Sequence, residues 1–284
     1  MANDTITSYS QPKAPQSAQD VLMLAFLFQA TLCGFLFLPL AAFSYVLSKR
    51  WFPLANTAVR LLSTAIIFSW QLAAWFALLF WIRYFTILGA VTIAAFYVFF
   101  IFLNRRLFRP LFEWLKYDLA YIHQTYLAMR RNPVGAIAIA AFAILLIVVT
   151  ARSIFLPVLG WDALTYHAFK AGLWVQAGGW TILDAPGGWE YYRTFFGGGE
   201  LFSGWTLLFF PSGLLVSVPD VCFWLLLGLC LACLARHFGL SLLQAALVSM
   251  AGISTVEFTR LLGSGYTDIC ANLFLLCGLL FVLN

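Results

Sequence analysis

Long runs of apolar residues without a charged side chain constrain this chain more than any other feature. Four runs are bounded by Lys or Arg and lie at 21–48, 61–82, 84–103 and 134–151. Three shorter runs follow and lie at 221–235, 240–256 and 269–284. A helix needs about 20 such residues to cross the hydrocarbon core of a membrane. The runs therefore predict an all-α integral membrane protein with about seven transmembrane helices.

The composition excludes a soluble globular domain. Of the 284 residues, 63% are apolar and 10% are charged, and the mean hydropathy is +0.92. Soluble domains are about half apolar and about a quarter charged. The net charge of +5 says little about partners, because basic residues in a membrane protein first report orientation. We expect membrane lipids as partners and no nucleic acid.

The distribution of basic residues predicts which side of the membrane each link occupies. The link 104–133 contains two acids, Glu113 and Asp118, and a larger set of cations: Arg105, Arg106, Arg109, Lys116, Arg130 and Arg131. By the positive-inside rule this link is cytoplasmic. Counting spans outward then places the N-terminus and the segment 152–219 outside, as in a multi-pass protein of the bacterial inner (plasma) membrane.

Four parts of the chain follow from these assignments. A polar tail at 1–20 precedes a three-helix membrane unit at 21–103. The basic link at 104–133 leads into a second membrane unit at 134–284, which carries the large external loop 152–219. Residues 201–218 are apolar enough to cross but contain Pro211, so we predict one or two juxtamembrane helices along the membrane surface.

The six cysteines are interpreted as packing residues, because all lie in or beside apolar runs. Cys230 and Cys233 form a C-x-x-C, but no second Cys or His pair stands at zinc spacing. The sequence thus predicts no metal site built on cysteine.

Two acids mark the candidate site. Asp162 follows a span directly, and Asp268 stands at the outer end of another, so both are expected at the external membrane surface. An acid there is costly unless it is solvated, paired or functional. The alternative for Asp162 is a helix N-cap before the run 163–176. His167, five residues later, is expected on a different helical face and is interpreted as structural.

Further candidates lie between the two acids. The polar residues expected to bind substrate there are Lys170, Glu190, Tyr192, Arg193 and Glu200. Arginine suits a phosphate because it can donate two parallel hydrogen bonds, although an ordinary lipid headgroup is an equal alternative for Arg193. Glu257 and Arg260 stand one helical turn apart, which favours an ion pair over a site.

Short motifs in this region carry a family resemblance. They are W-D-A-L-T-Y-H at 161–167, W-V-Q-A-G at 174–178, Y-Y-R at 191–193, G-G-E-L at 198–201, A-R-H-F-G-L at 235–240 and G-Y-T-D at 265–268. With these motifs, residues 134–284 resemble bacterial integral membrane glycosyltransferases of the GT-C superfamily, relatives of protein O-mannosyltransferases and aminoarabinose transferases. The preceding helices match only in general pattern.

The resemblance implies transfer of a sugar from a polyprenyl-phosphate donor to an acceptor hydroxyl at the outer membrane face. Asp162 matches the acid taken as catalytic in such enzymes, and Asp268 matches a second acid. Asp162 would accept the hydroxyl proton, while Arg193 or Lys170 stabilises the phosphate leaving group. Asp268 would position the acceptor or help to hold a divalent cation such as Mg²⁺.

Two other function classes remain open. Members of the superfamily are usually much longer, so the chain is expected to be such an enzyme or its N-terminal half. A non-catalytic membrane subunit that binds a polyprenyl lipid or a partner protein also fits this length. A small-solute transporter fits less well, because the acids stand at span ends and not near mid-membrane.

Overall fold

The computed structural model describes residues 16–156, 158, 160–181, 198–213, 215–264 and 266–283. These residues form α-helices joined by short links, with no strand among them, so the all-α prediction is confirmed. The helices are α1 (Gln16–Trp51), α2 (Thr57–Trp81), α3 (Ile87–Leu103), α4 (Arg105–Phe108), α5 (Leu111–Arg131), α6 (Pro133–Phe155), α7 (Ala168–Ala177), α8 (Glu200–Phe209), α9 (Val218–His237), α10 (Leu242–Ile253), α11 (Val256–Leu261) and α12 (Asp268–Leu283). A π-helical turn, Ala163–His167, directly precedes α7.

Four of these helices, α1, α2, α6 and α9, are long and apolar enough to cross a membrane. A fifth span results if α3 is counted together with α4 and α5, which turn away from it by 88°. The other two predicted spans are shorter. With a rise of about 1.5 Å per residue, α10 is about 18 Å long and α12 about 24 Å. The number of seven crossings stays a prediction.

Polar caps decide where several helices begin. The Asn56 side chain accepts from the Val59 N–H and starts α2, and the Thr86 side chain accepts from the Gly89 N–H and starts α3. Asn132 caps α6 in the same way. An N-cap satisfies backbone donors that have no partner within the helix. The helices therefore start at these polar residues, a few positions away from the edges of the apolar runs.

The links between helices gather at two ends of the bundle. At the end that we name the basic end, Phe52 after α1 stacks on Phe281 of α12, with ring centroids 5.7 Å apart. At the other, named the cleft end, the Phe85 N–H between α2 and α3 donates to the Gly178 carbonyl after α7 at 2.8 Å. The cations of 104–133 all belong to the basic end. Which end faces the cytoplasm stays a prediction.

A buried polar cluster holds α5 against the basic end of the bundle. Asp118 of α5 accepts hydrogen bonds from Tyr45 Oη at 2.5 Å, Thr57 Oγ1 at 2.8 Å and Arg60 Nη1 at 2.6 Å. Both Asp118 and Arg60 are less than 5% exposed. We name these four residues the basic-end latch, because they join α5 to α1 and α2.

Helix α8 covers the start of the segment 201–218, for which juxtamembrane helices were predicted. Its ten residues are too few to cross, and it packs inside the bundle, so its orientation to the membrane stays a prediction. Phe202, Trp205 and Phe209 are buried, and Trp205 Nε1 donates to the Leu72 carbonyl within α2 at 3.2 Å. The spacing of these aromatic residues places them on one face of the helix, which packs against the bundle.

The two predicted membrane units share one hydrophobic core. Buried residues from α1 and α2, such as Leu36 and Phe76, belong to the same cluster as Trp174, Trp224 and Leu280 from the second unit. Phe76 contacts Trp174 directly, with ring centroids 5.5 Å apart. The three-helix unit is thus packed against the unit that carries both candidate acids.

Candidate functional site

At the cleft end, two glycines let separate segments of the chain pack closely against each other. A Cβ on Gly160 would lie 2.6 Å from the Tyr266 ring, and a Cβ on Gly199 would overlap the Thr267 side chain. Real Cβ atoms are almost never this close to another heavy atom. Only glycine allows these contacts, so the segments before the π turn and before α8 both lie against the segment before α12.

The π turn gives Asp162 and His167 a common direction. The Ala168 N–H donates to the Ala163 carbonyl five residues earlier, which defines the wider π geometry. In an α-helix a separation of five residues rotates a side chain by about 140°. Both residues line the same cleft, although they were predicted on different faces, and His167 is buried beside Glu200, which agrees with its structural interpretation.

Asp162 and Asp268 line one cleft of about 560 Å³. Tyr166, His167 and Asn272 contribute further polar groups to its wall. Asp162 is half-buried and Asp268 is exposed. The Asp162 side chain makes no capping hydrogen bond with the described backbone, so the N-cap alternative is not supported. Asp268 starts α12, and a helix N-terminus favours a carboxylate.

Lys170 and Glu200, expected to bind substrate, lie behind the cleft. Glu200 is 1% exposed, and its Oε1 lies 2.7 Å from His167 Nδ1. Lys170 is also buried and lies over the Trp174 ring, 5.8 Å from its centroid. Burial lowers the pKa of Lys170, while the charge of Glu200 acts to raise it. The arrangement suits a supporting role, in which Glu200 fixes the imidazole that faces the cleft.

A second cleft of about 500 Å³ adjoins the first and is lined by Arg152 and Arg260. The two clefts share Leu261 and Tyr266 as walls. Arg152 Nη1 donates to the Thr259 carbonyl at 3.2 Å, which holds its guanidinium at this edge. The sequence analysis missed Arg152, because a basic residue after an apolar run was interpreted only as the end of a span.

The predicted Glu257–Arg260 ion pair is present, and both residues also border the site. Their charged atoms are 3.7 Å apart and both side chains are exposed. Glu257 lines the cleft of the two aspartates, and Arg260 lines the neighbouring cleft. Exposed pairs of this kind contribute little to stability. Arg260 therefore borders the neighbouring cleft with its guanidinium beside the Glu257 carboxylate.

Three predicted substrate-binding residues, Glu190, Tyr192 and Arg193, lie outside the described residues. The described part contains no group of three or more His, Cys, Asp or Glu that could hold a metal ion. Among the six cysteines no disulfide is formed, and Cys230, Cys233, Cys270 and Cys277 are buried. These four agree with the packing interpretation.

Comparison with protein-family models, with curated proteins and with solved structures finds no match for this chain. The resemblance predicted from the short motifs, chiefly the one at 161–167 with the one at 265–268 as support, therefore stays a prediction. These are also the two segments that supply the acids of the cleft.

Proposed function

We propose that the protein is a membrane glycosyltransferase, or the N-terminal half of one, that moves a sugar from a polyprenyl-phosphate donor to an acceptor hydroxyl at the outer membrane face. One observation carries the proposal. Asp162 and Asp268, distant in sequence, line one cleft at the end of a membrane-type helix bundle. The resemblance at 161–167 and 265–268 supports the same assignment.

Asp162 is the proposed general base. The acceptor oxygen forms a bond with the anomeric carbon of the sugar, the bond from that carbon to the phosphate oxygen breaks, and the hydroxyl proton passes to Asp162. Polyprenyl phosphate leaves as an anion and requires no protonated acid, in contrast to the leaving group in a glycosidase. Asp268, which lines the same cleft, positions the acceptor.

Arg152 and Arg260 are the proposed contacts of the donor phosphate. They border the cleft next to the two aspartates, and guanidinium groups bind phosphate oxygens well. They take the role that the sequence analysis gave to Arg193, which can still add to it. The positive charge is placed where negative charge develops on the leaving group.

A divalent cation is proposed only as an aid to binding. Asp162, Asp268 and Asn272 offer the oxygen ligands that Mg²⁺ prefers, but a cluster of three acidic or histidine ligands is absent among the described residues. The proton transfer and the stabilisation of the leaving group are accounted for without it.

Native mass spectrometry of the gently solubilised full chain is the first test. We expect a co-purified lipid whose mass matches a polyprenyl phosphate or its glycoside. The mass difference between the glycoside and the polyprenyl phosphate would identify the sugar. Arg152→Gln should reduce this lipid more than Arg106→Gln, a change of an arginine at the basic end. Ordinary phospholipid alone would count against the proposal.

The donor identified in this way then serves in a turnover assay that follows loss of the sugar from the lipid. Asp162→Asn should slow release about 10²–10⁴-fold, the usual contribution of a general base, whereas Glu113→Gln at the basic end should have no effect. Two results together would favour the non-catalytic subunit. The wild type would bind polyprenyl lipid without turnover, and Asp162→Asn would retain as much of this lipid as the wild type.

A further inference from the structure

A separate groove of about 600 Å³ lies at the basic end, between α2, α5, α9 and α10. Its exposed lining, the rim, is polar and includes Asn56, Arg236 and His237, whereas its less exposed wall is apolar and includes Leu229 and Ala232. From His237 to Leu229 the groove follows α9 for about 12 Å, a little less than half the thickness of the hydrocarbon core. One end is therefore polar, and the rest is suited to a hydrocarbon chain.

The apolar wall continues into a neighbouring cleft. Leu229, Ala232 and Ala246 line both the groove and a second space of about 420 Å³ between α5, α6, α9 and α10. Phe142 and Gly228 form part of that second wall. Two adjoining apolar channels below a single polar rim match the shape of a lipid with two acyl chains.

Helix α5 places the rim at the level of lipid headgroups. It runs with α4 at 88° to α3, and its exposed apolar residues include Phe112, Tyr117 and Leu119, each more than 60% exposed. Lys116, one helical turn from Phe112, is 73% exposed. Exposed aromatic residues beside a cation on one short helix are typical of the membrane interface.

The charge around the groove is positive. Its described lining contains Arg236 and no Asp or Glu. Asp118, the nearest acid on α5, is buried in the basic-end latch and paired with Arg60. Arg236 Nη1 donates to the Leu240 carbonyl at 2.7 Å, which fixes the guanidinium at the rim and uses one of its five donors. A bound headgroup is therefore expected to be anionic.

We propose that this groove binds an anionic phospholipid, with the phosphate at Arg236 and the acyl chains along Leu229, Ala232 and Ala246. The site is independent of the glycosyltransferase proposal, because it lies at the opposite end of the bundle from Asp162 and Asp268. It seats one lipid against α5 and thereby steadies that helix on the bundle.

The full chain in detergent, titrated with phosphatidylglycerol or with phosphatidylcholine of the same chain length, tests the site by counting bound lipid in native mass spectra. We expect phosphatidylglycerol to be retained selectively. A cation near a membrane surface contributes about 1 kcal/mol toward anionic lipid, so Arg236→Gln should weaken phosphatidylglycerol binding about fivefold. Arg130→Gln is the matched control, because Arg130 is exposed on α5 and does not line the groove.

A second variant tests the apolar wall without a change of charge. Ala246→Phe fills the space shared by the two channels and should displace phosphatidylglycerol at least as strongly as Arg236→Gln. The proposal is overturned if phosphatidylcholine binds equally well, if Arg130→Gln weakens binding as much as Arg236→Gln, or if Ala246→Phe has no effect. Each of these results would show diffuse or unselective lipid contact.

Discussion

Replacing Asp118 with Asn tests the basic-end latch that positions α5. The change keeps the shape of the side chain and removes the negative charge 2.6 Å from Arg60 Nη1. Arg60 is 4% exposed, so its charge then remains buried without a counter-ion. Loss of one partner from a buried pair costs about 3–5 kcal/mol. That is a large part of the roughly 5–15 kcal/mol that stabilises a typical domain.

The assay is unfolding of the purified chain in mixed micelles by increasing dodecyl sulfate, followed by fluorescence of the 11 tryptophans. The matched control is Glu113→Gln, also on α5, whose ion pair with Lys116 is exposed. The control should change the free energy of unfolding by no more than about 0.5 kcal/mol. If Asp118→Asn also stays within about 1 kcal/mol of the wild type, the latch does not stabilise the fold.

A double variant separates the ion pair from its hydrogen bonds. Arg60→Met with Asp118→Leu removes both charges, so the penalty for an unpaired buried cation disappears. Tyr45 and Thr57 lose their acceptor, which costs about 1–3 kcal/mol for each unsatisfied hydroxyl. The two hydroxyls together cost about 2–6 kcal/mol, similar to the about 3–5 kcal/mol for Asp118→Asn, so we expect the two variants to be about equally stable. A much less stable double variant would contradict this account.

The latch also predicts a pH dependence. Burial acts to raise the pKa of Asp118, but its hydrogen bonds with Tyr45, Thr57 and Arg60 and the charge of Arg60 outweigh burial, so this pKa lies below its usual value of 3.8. A carboxylate with a lowered pKa stabilises the fold fully above the unfolded-state pKa. The stabilisation should fall as the pH drops below about 3.8, and Asp118→Asn should lack this dependence.

Three further predictions concern the cleft end. Gly199→Ala should disrupt the approach to the segment before α12 and lower the thermal unfolding temperature, whereas Gly198→Ala, which meets no atom within 4 Å, should not. Glu200→Gln should shift the NMR signals of the His167 ring, because the group 2.7 Å from its Nδ1 changes, and unchanged signals would contradict the pairing. Trp205→Phe should lose the hydrogen bond to α2 and reduce the free energy of unfolding by about 1–3 kcal/mol in dodecyl sulfate titrations.

The helices could largely be predicted from the sequence, because long apolar runs have few alternatives to membrane-type helices. Their bounds could not, since they depend on single polar caps such as Asn56 and Thr86. Helix α10 ends at Ile253, whose carbonyl accepts from Trp224 Nε1 at 2.9 Å. That tertiary contact leaves no signal in the local sequence, so the predicted run to 256 was too long.

The candidate site, like the helices, could be predicted from the sequence only in part. Asp162 and Asp268 were recognisable because acids are rare in this chain and both stand beside apolar runs. The position of His167 in the wall of the cleft was not recognisable, since no residue pattern predicts the π turn that precedes α7. Lys170 and Glu200 were predicted as substrate-binding residues, but only the packing of α7 and α8 shows that both are buried.

The structure gives the first three helices a function that the sequence left open. Phe85, between α2 and α3, is fully buried, and its N–H donates to the Gly178 carbonyl at the end of α7. Its ring also contacts Trp205 of α8, with centroids 4.9 Å apart. Helix α7 follows the π turn of the cleft, and α8 begins at the glutamate that holds its histidine. The first unit therefore supports the cleft by fixing α7 and α8, and none of its described residues lines the wall.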